Sequence, residues 1–256
     1  MSTPEITCTA AAPAVPKLEA PIVLLHGLMG FGELEFCGWR IASYFRGIPE
    51  FLRQGGNEVH AGCVHPLGSI AERAVQLKDM LDRKYPGQEV HLLAHSMGGL
   101  DARYMISKLD MASRVLSLTT IGTPHRGTAF ADWGIKRLER LVKPFFEWMG
   151  IPRQAFYDLT TESCKRFNDD VPDAPGVRYH SVAGRHTSGW IRPAWNLPHR
   201  VVNELEGPND GVVSVASASY GKKIEVWDGD HLSLINWNGK NRIPDYARLV
   251  AQLAER

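Results

Sequence analysis

The sequence predicts an α/β fold: a mostly parallel central sheet with helices on both faces and a helical insertion. Three observations carry this. Short apolar runs, stopped by Gly or turn residues, read as buried strands. Segments with apolar residues at helical spacing alternate with them along the chain. One stretch, residues 127–170, breaks the alternation because it holds no strand pattern. The chain has 256 residues, 44% hydrophobic and 22% charged, which suits one such domain.

Residues 1–20 are rich in Ala and Pro and read as a loose leader before a domain spanning 21–256. "PIVLLHG" from Pro21 is the first strand, and "NEVHAGCV" from Asn57 is the next. Ser69 to Tyr85 carries Ile70, Ala74, Leu77 and Leu81 on one helical face, and Pro86-Gly87 stops it. "EVHLLAHS" is a strand and "GGLDARYMISKL" a helix. "RVLSLTTIG", "VRYHSVAGR" and "KKIEVWDG" are further strands, and "IPDYARLVAQLAE" closes the chain as a helix.

The composition excludes several functions. The formal net charge is +1 with no basic or acidic block, so nucleic acid is not an expected partner. No apolar run is long enough to span a bilayer. The N-terminus shows no basic region followed by an apolar one, so the chain as written reads as cytoplasmic, or as secreted if a signal was removed. Cys8, Cys37, Cys63 and Cys164 are irregularly spaced and read as reduced, buried or half-buried thiols. No His/Cys cluster has ligand spacing, so neither a metal nor a cofactor is expected.

The chemistry points to "EVHLLAHSMGGLDARY". A strand runs into Ser96, and a helix follows. A serine is a weak nucleophile unless a fixed base serves it and its hydroxyl is exposed. A tight strand-to-helix turn gives that exposure, and its crowding demands small residues two places before and after. Here they are Ala94 and Gly98. The helix aims free N–H groups at the site, favouring negative charge there. In such a design an acid and then a histidine follow the serine in the chain. Asp210, in a Pro-Asn-Asp-Gly turn, and His231, just beyond the last strand, fit that order. Asp173 and Asp228 remain rivals for the acid, and His186 and His199 for the base; His125 precedes any downstream acid.

Four segments, "HGLMGFG", "AHSMGGLDARY", "GTPHRG" and "NDGVVS…DHLSLIN", occur in this order. Together they make the chain resemble the bacterial triacylglycerol lipases of the Pseudomonas/Burkholderia type, within the α/β-hydrolase superfamily. The resemblance covers about Pro21 to Asn236. It implies a Ser96–Asp210–His231 triad, backbone N–H groups of Leu28 and Met97 as oxyanion donors, and hydrolysis of lipid esters through an acyl-enzyme. Thioesterase and phospholipase activity are the close alternatives, and a non-catalytic binding protein is the remote one. The chain departs from the family pattern where a calcium site is usual: Ser233 and Trp237 stand where Asp and Gln ligands are expected. The disulfide cysteine expected shortly after the catalytic Asp is also missing.

The insertion has its own pattern. Phe130, Trp133, Leu138, Leu141, Phe145 and Phe146 fall largely on one helical face, and Pro144 should divide it. A packed core helix is the plain reading. Its place on the rim beside the serine suggests instead a lid that binds acyl chains and touches a lipid interface transiently.

Overall fold

A computed structural model of the protein describes residues 14–30, 33–36, 39–137, 154–187, 193–237 and 240–255. Six strands form one parallel sheet: β1 (Ile22–Leu25), β4 (Val59–Gly62), β5 (Val90–His95), β6 (Val115–Ile121), β7 (Arg178–Arg185) and β8 (Lys223–Asp228). Their spatial order is β4-β1-β5-β6-β7-β8. From β1 the chain first builds outward to β4, then returns to lay β5 on β1's other side. The loops leaving β1 and β5 therefore diverge, and the crevice between them is where open α/β sheets place their sites.

Both faces of this sheet are covered, which is why its inner strands are apolar runs rather than alternating ones. Val23 and Leu25 of β1 pack under α2 (Ile70–Lys84) and α3 (Gly98–Lys108), with Leu77, Leu81 and Met105. Ile22 and Leu24 point the other way, onto α1 (Ile48–Gln54) and α9 (Ile243–Ala254), with Leu52, Tyr246 and Val250. Each such side chain contributes about 1.5–3 kcal/mol by leaving water. α2 begins at a capping box, in which Ser69 Oγ accepts from the Glu72 N–H and Glu72 accepts from the Ser69 N–H.

Between β6 and β7 the described residues are helical: α4 at 129–137, α5 (Gln154–Asp158) and α6 (Thr161–Asp170). Two further helices, α7 (Pro193–Glu206) and α8 (Val215–Ala218), lie between β7 and β8. Five elements had no counterpart in the sequence pattern: α1, α7, α8, and the antiparallel pair β2 (Glu33–Phe36) and β3 (Trp39–Ser43). The leader is not loose throughout. Leu18 is buried in the core, its N–H donates to Asn57 Oδ1 at 2.8 Å, and Asn57 Nδ2 donates to Pro16 O at 3.0 Å. Cys164 is a buried thiol, whereas Cys63 is exposed rather than half-buried; Cys8 and Cys37 lie outside the described residues.

Candidate active site

β5 ends at His95 and α3 begins at Gly98, so Ser96 occupies the turn between them. Its φ is 56°, a left-handed conformation that costs a non-glycine residue about 1–3 kcal/mol. The surroundings hold it there. The Ser96 N–H donates to Ile121 O at 2.9 Å, and Thr123 Oγ1 donates to Ser96 O at 2.7 Å. Gly98 is required by contact: a Cβ there would sit 2.7 Å from His26 O.

That carbonyl belongs to the loop leaving β1. A Cβ at Gly27 would meet Ser96 Oγ at 3.0 Å, which fixes how near the loop comes to the serine. Leu28 packs in one apolar cluster with Met97. His26 braces the loop as a neutral ring. Its Nδ1 donates to Gly27 O at 2.8 Å, and Nε2 accepts from the Val64 N–H at 3.2 Å. Burial lowers its pKa to about 4, in keeping with that tautomer. Beneath lies the fully buried Arg73. It donates to His26 O at 2.8 Å, to His65 O at 2.9 Å and to Asp101 Oδ2 at 2.8 Å.

Asp210 and His231 meet in a 2.7 Å hydrogen bond between Oδ2 and Nδ1. The Asn-Asp-Gly turn arranges it. Asp210 Oδ1 accepts from the N–H groups of Val212 at 3.1 Å and Val213 at 2.9 Å, which leaves Oδ2 for the imidazole. The His231 N–H donates to Asp210 O at 2.7 Å, so main chain and side chain grip the same partner. A histidine donating from Nδ1 has Nε2 available as an acceptor. Gly122, the residue after β6, has φ 58°, and a Cβ there would lie 3.1 Å from Asp210 Oδ2 and 3.2 Å from His231 Nδ1. Since Ser96 N–H is bonded to Ile121, the pair and the serine share the ends of β5 and β6.

The rival groups are engaged elsewhere. Asp228 is held by Lys240 and Thr187, whose hydrogen bonds lower its carboxyl to about 2. Asp173 accepts from the Tyr220 hydroxyl. His186 and His199 pack against each other with ring centroids 5.7 Å apart. His125 turns to Thr120 Oγ1 at 2.9 Å and stacks on Tyr220. Ser233 Oγ donates to Asp230 O at 2.7 Å, and Trp237 Nε1 donates to Tyr44 O at 2.8 Å. Among the described residues no group of three or more His, Cys, Asp or Glu side chains gathers as a metal centre would. In the insertion, the rings of Phe130 and Trp133 stack 5.9 Å apart on α4, while Leu138, Leu141, Phe145 and Phe146 lie outside the described residues.

Three residues near the site carried no sequence signal that singled them out. Trp195 of α7 faces His231 at a ring distance of 6.2 Å. His95 lies 4.4 Å from the His231 ring, and Tyr44 bonds to His95. His95 stood beside the serine in the sequence; Tyr44 and Trp195 are brought in by the fold.

A six-stranded parallel sheet covered by helices, with a serine on the turn after β5 and an Asp–His pair beyond β7 and β8, is the architecture of the α/β-hydrolases. Residues 68–233 match the PGAP1-like alpha/beta domain, and the chain belongs to that family. It is 37% identical to triacylglycerol lipase 2 of Saccharomyces cerevisiae over 79% of its length, spanning 64% of that protein. It is 31% identical to a triacylglycerol lipase of Vibrio cholerae, covering 84% of this chain and 79% of the relative. Among solved structures, the mature Bacillus licheniformis lipase BlEst2 superposes with a TM-score of 0.73 at 25% identity, over 93% of each chain.

Proposed function

We propose that the protein is a serine hydrolase of lipid carboxylic esters, a triacylglycerol lipase or carboxylesterase of the Pseudomonas/Burkholderia type. The observation that carries this is the Asp210–His231 bond at 2.7 Å, set beside a serine held at φ 56°. In this reading His231 Nε2 takes the proton from Ser96 Oγ as the oxygen attacks the acyl carbonyl. The oxyanion forms against the N–H groups of Leu28 and Met97. His231 then protonates the leaving alcohol, and Ser96 keeps the acyl group. Water, deprotonated by His231, attacks that ester; the acid leaves as His231 returns the proton to Ser96 Oγ, which regenerates the free enzyme. Asp210 holds the imidazole tautomer and balances the charge that forms on it. The helical insertion acts as a lid and apolar wall for the acyl chain.

The names of the relatives support lipid esters over thioesters or phospholipids. The test is turnover on p-nitrophenyl and glyceride esters from short to long acyl chains, with acyl-thioester and phospholipid substrates beside them. Ser96→Ala is the control. Ester turnover that exceeds the other classes and vanishes in Ser96→Ala supports the proposal. A preference for thioesters or phospholipids, or turnover that survives the substitution, rejects it.

A further inference from the structure

A chain of hydrogen bonds runs behind the nucleophile from the loop after β1 to the loop of His231. The Gly27 N–H reaches Tyr44 Oη at 3.3 Å, Tyr44 Oη lies 2.8 Å from His95 Nδ1, and His95 Nε2 lies 3.0 Å from His231 O. Both ends fix the direction of the protons. A carbonyl only accepts, so His95 Nε2 carries hydrogen and donates to His231 O. A neutral His95 then has a bare Nδ1, so Tyr44 must donate its O–H there. Its oxygen is left to accept from the Gly27 N–H, which only donates. No other arrangement satisfies all three contacts with a neutral ring.

The groups suit these roles. His95 is fully buried, and burial, followed by the neighbouring His231, pushes its pKa well below 6.5. Burial raises the Tyr44 hydroxyl to about 12, so it keeps its proton. The Tyr44 segment and the His231 loop are also joined by three bonds that end on main-chain carbonyls. Trp237 Nε1 donates to Tyr44 O at 2.8 Å, the Arg46 N–H to Ile235 O at 3.2 Å, and Asn236 Nδ2 to Arg46 O at 2.7 Å. With the His231 N–H already held by Asp210, the His95 bond secures the other end of the same residue.

We infer that Tyr44 and His95 are positioning residues: their chain sets the loop of Gly27 and Leu28 in register with His231 across Ser96. The inference rests on the proposed roles of Ser96, His231 and Leu28. A tetrahedral oxyanion and a charged imidazole must form at once, on loops from different strands. A misplacement of about 1 Å between such groups costs roughly a hundredfold in rate. Being neutral, His95 fixes His231 without repelling the imidazolium that forms 4.4 Å away.

The test compares Tyr44→Phe, His95→Gln and His95→Leu with wild type, reading kcat, KM and melting temperature on a soluble short-chain p-nitrophenyl ester. Phe at position 44 keeps the ring, which packs on His26, Phe45 and His95, and loses only the hydroxyl. We expect Tyr44→Phe to lower kcat about ten- to a hundredfold, in the range of that geometric penalty, with KM changed less than about twofold. His95→Gln retains an N–H for the His231 carbonyl and should exceed His95→Leu in kcat by about tenfold, the worth of one such bond. Wild-type kcat in Tyr44→Phe, or a loss confined to KM or melting temperature, overturns the inference. So does equal kcat in the two His95 variants; if neither folds, Tyr44→Phe decides. Ser96→Ala, run alongside, separates the failures. If Ser96→Ala still turns over, the reading of the site falls; if it is inert while Tyr44→Phe is normal, only the positioning role falls.

Discussion

Two buried aspartates flank the crevice, and they are built differently. Asp210 and Asp101 are both withdrawn from water, and each pairs with one nitrogen of a basic side chain, at 2.7 Å and 2.8 Å. Asp210 faces an imidazole, and its second oxygen is filled by two backbone N–H groups. Asp101 faces a guanidinium, and its Oδ1 has no hydrogen-bond partner among the described residues. Burial lifts the Asp101 carboxyl to about 7, against the pull of Arg73. A turn that saturates one oxygen holds the other in a fixed direction, which suits a group that must orient a moving proton. A carboxylate matched to a buried arginine holds helices and a loop together. The first pair should govern rate, and the second stability.

The largest expected effect lies on the Asp210 side. Asp210→Asn keeps the turn's shape but favours the wrong histidine tautomer, so kcat should fall by about 10⁴ with little change in melting temperature. A loss of stability matching the loss of rate would erase the distinction between the pairs. On the other side, Arg73→Met removes the donor to Asp101, His26 O and His65 O. Chemical denaturation should show a loss of about 3–5 kcal/mol, as when one partner of a buried ion pair is removed. A stable Arg73→Met with greatly reduced kcat would show instead that this pair serves chemistry.

A third, smaller effect concerns pH. Burial lowers His26 and His91 to about 4 and pushes His95 and His125 well below 6.5. Between pH 4 and 6.5 the unfolded chain binds protons that these folded histidines refuse, so stability is lost as pH falls through that window. Asp101 acts oppositely. With its folded pKa near 7, it holds a proton that the unfolded carboxyl releases, so its contribution is lost as pH rises from about 4 to 7. With His180 and His199 also lowered by burial, six histidines against one raised carboxyl should make melting temperature rise with pH. Asp101→Asn should steepen the rise; an unchanged slope would mean that Asp101 does not titrate in this window. The smallest effect expected is none. With Ser233 and Trp237 bonded to Asp230 O and Tyr44 O, EDTA should leave activity and melting temperature unaltered. A loss reversed by calcium would disprove that.

What the sequence made legible was local. The runs ending at Leu25, His95 and Ile121 announce buried strands because both sheet faces are covered. Ser96 stood out because crowding at its turn imposes Ala94 and Gly98. The Asn-Asp-Gly turn was readable as a turn, but Asp173 and Asp228 competed with Asp210 because the choice among them lies in who meets His231 in space. Tyr44 bonds to a residue 51 positions away, and Arg73 to one 28 positions away. Such contacts leave no periodicity or motif. The β2–β3 pair was missed for a related reason: "ELEFCGWRIAS" has neither a tight-turn signature nor a long apolar run.

Covalent capture tests most directly whether Ser96 is a nucleophile activated by His231. The protein should be incubated with an alkylphosphonate ester bearing a p-nitrophenyl leaving group and then analysed by peptide mass spectrometry. A nucleophilic Ser96 takes up one phosphonyl group per chain, on the peptide containing it, with p-nitrophenol released in equal amount. His231→Ala should label far more slowly, and Ser96→Ala not at all. Label on another residue, or an ester-hydrolysing protein that takes no label, would contradict that role.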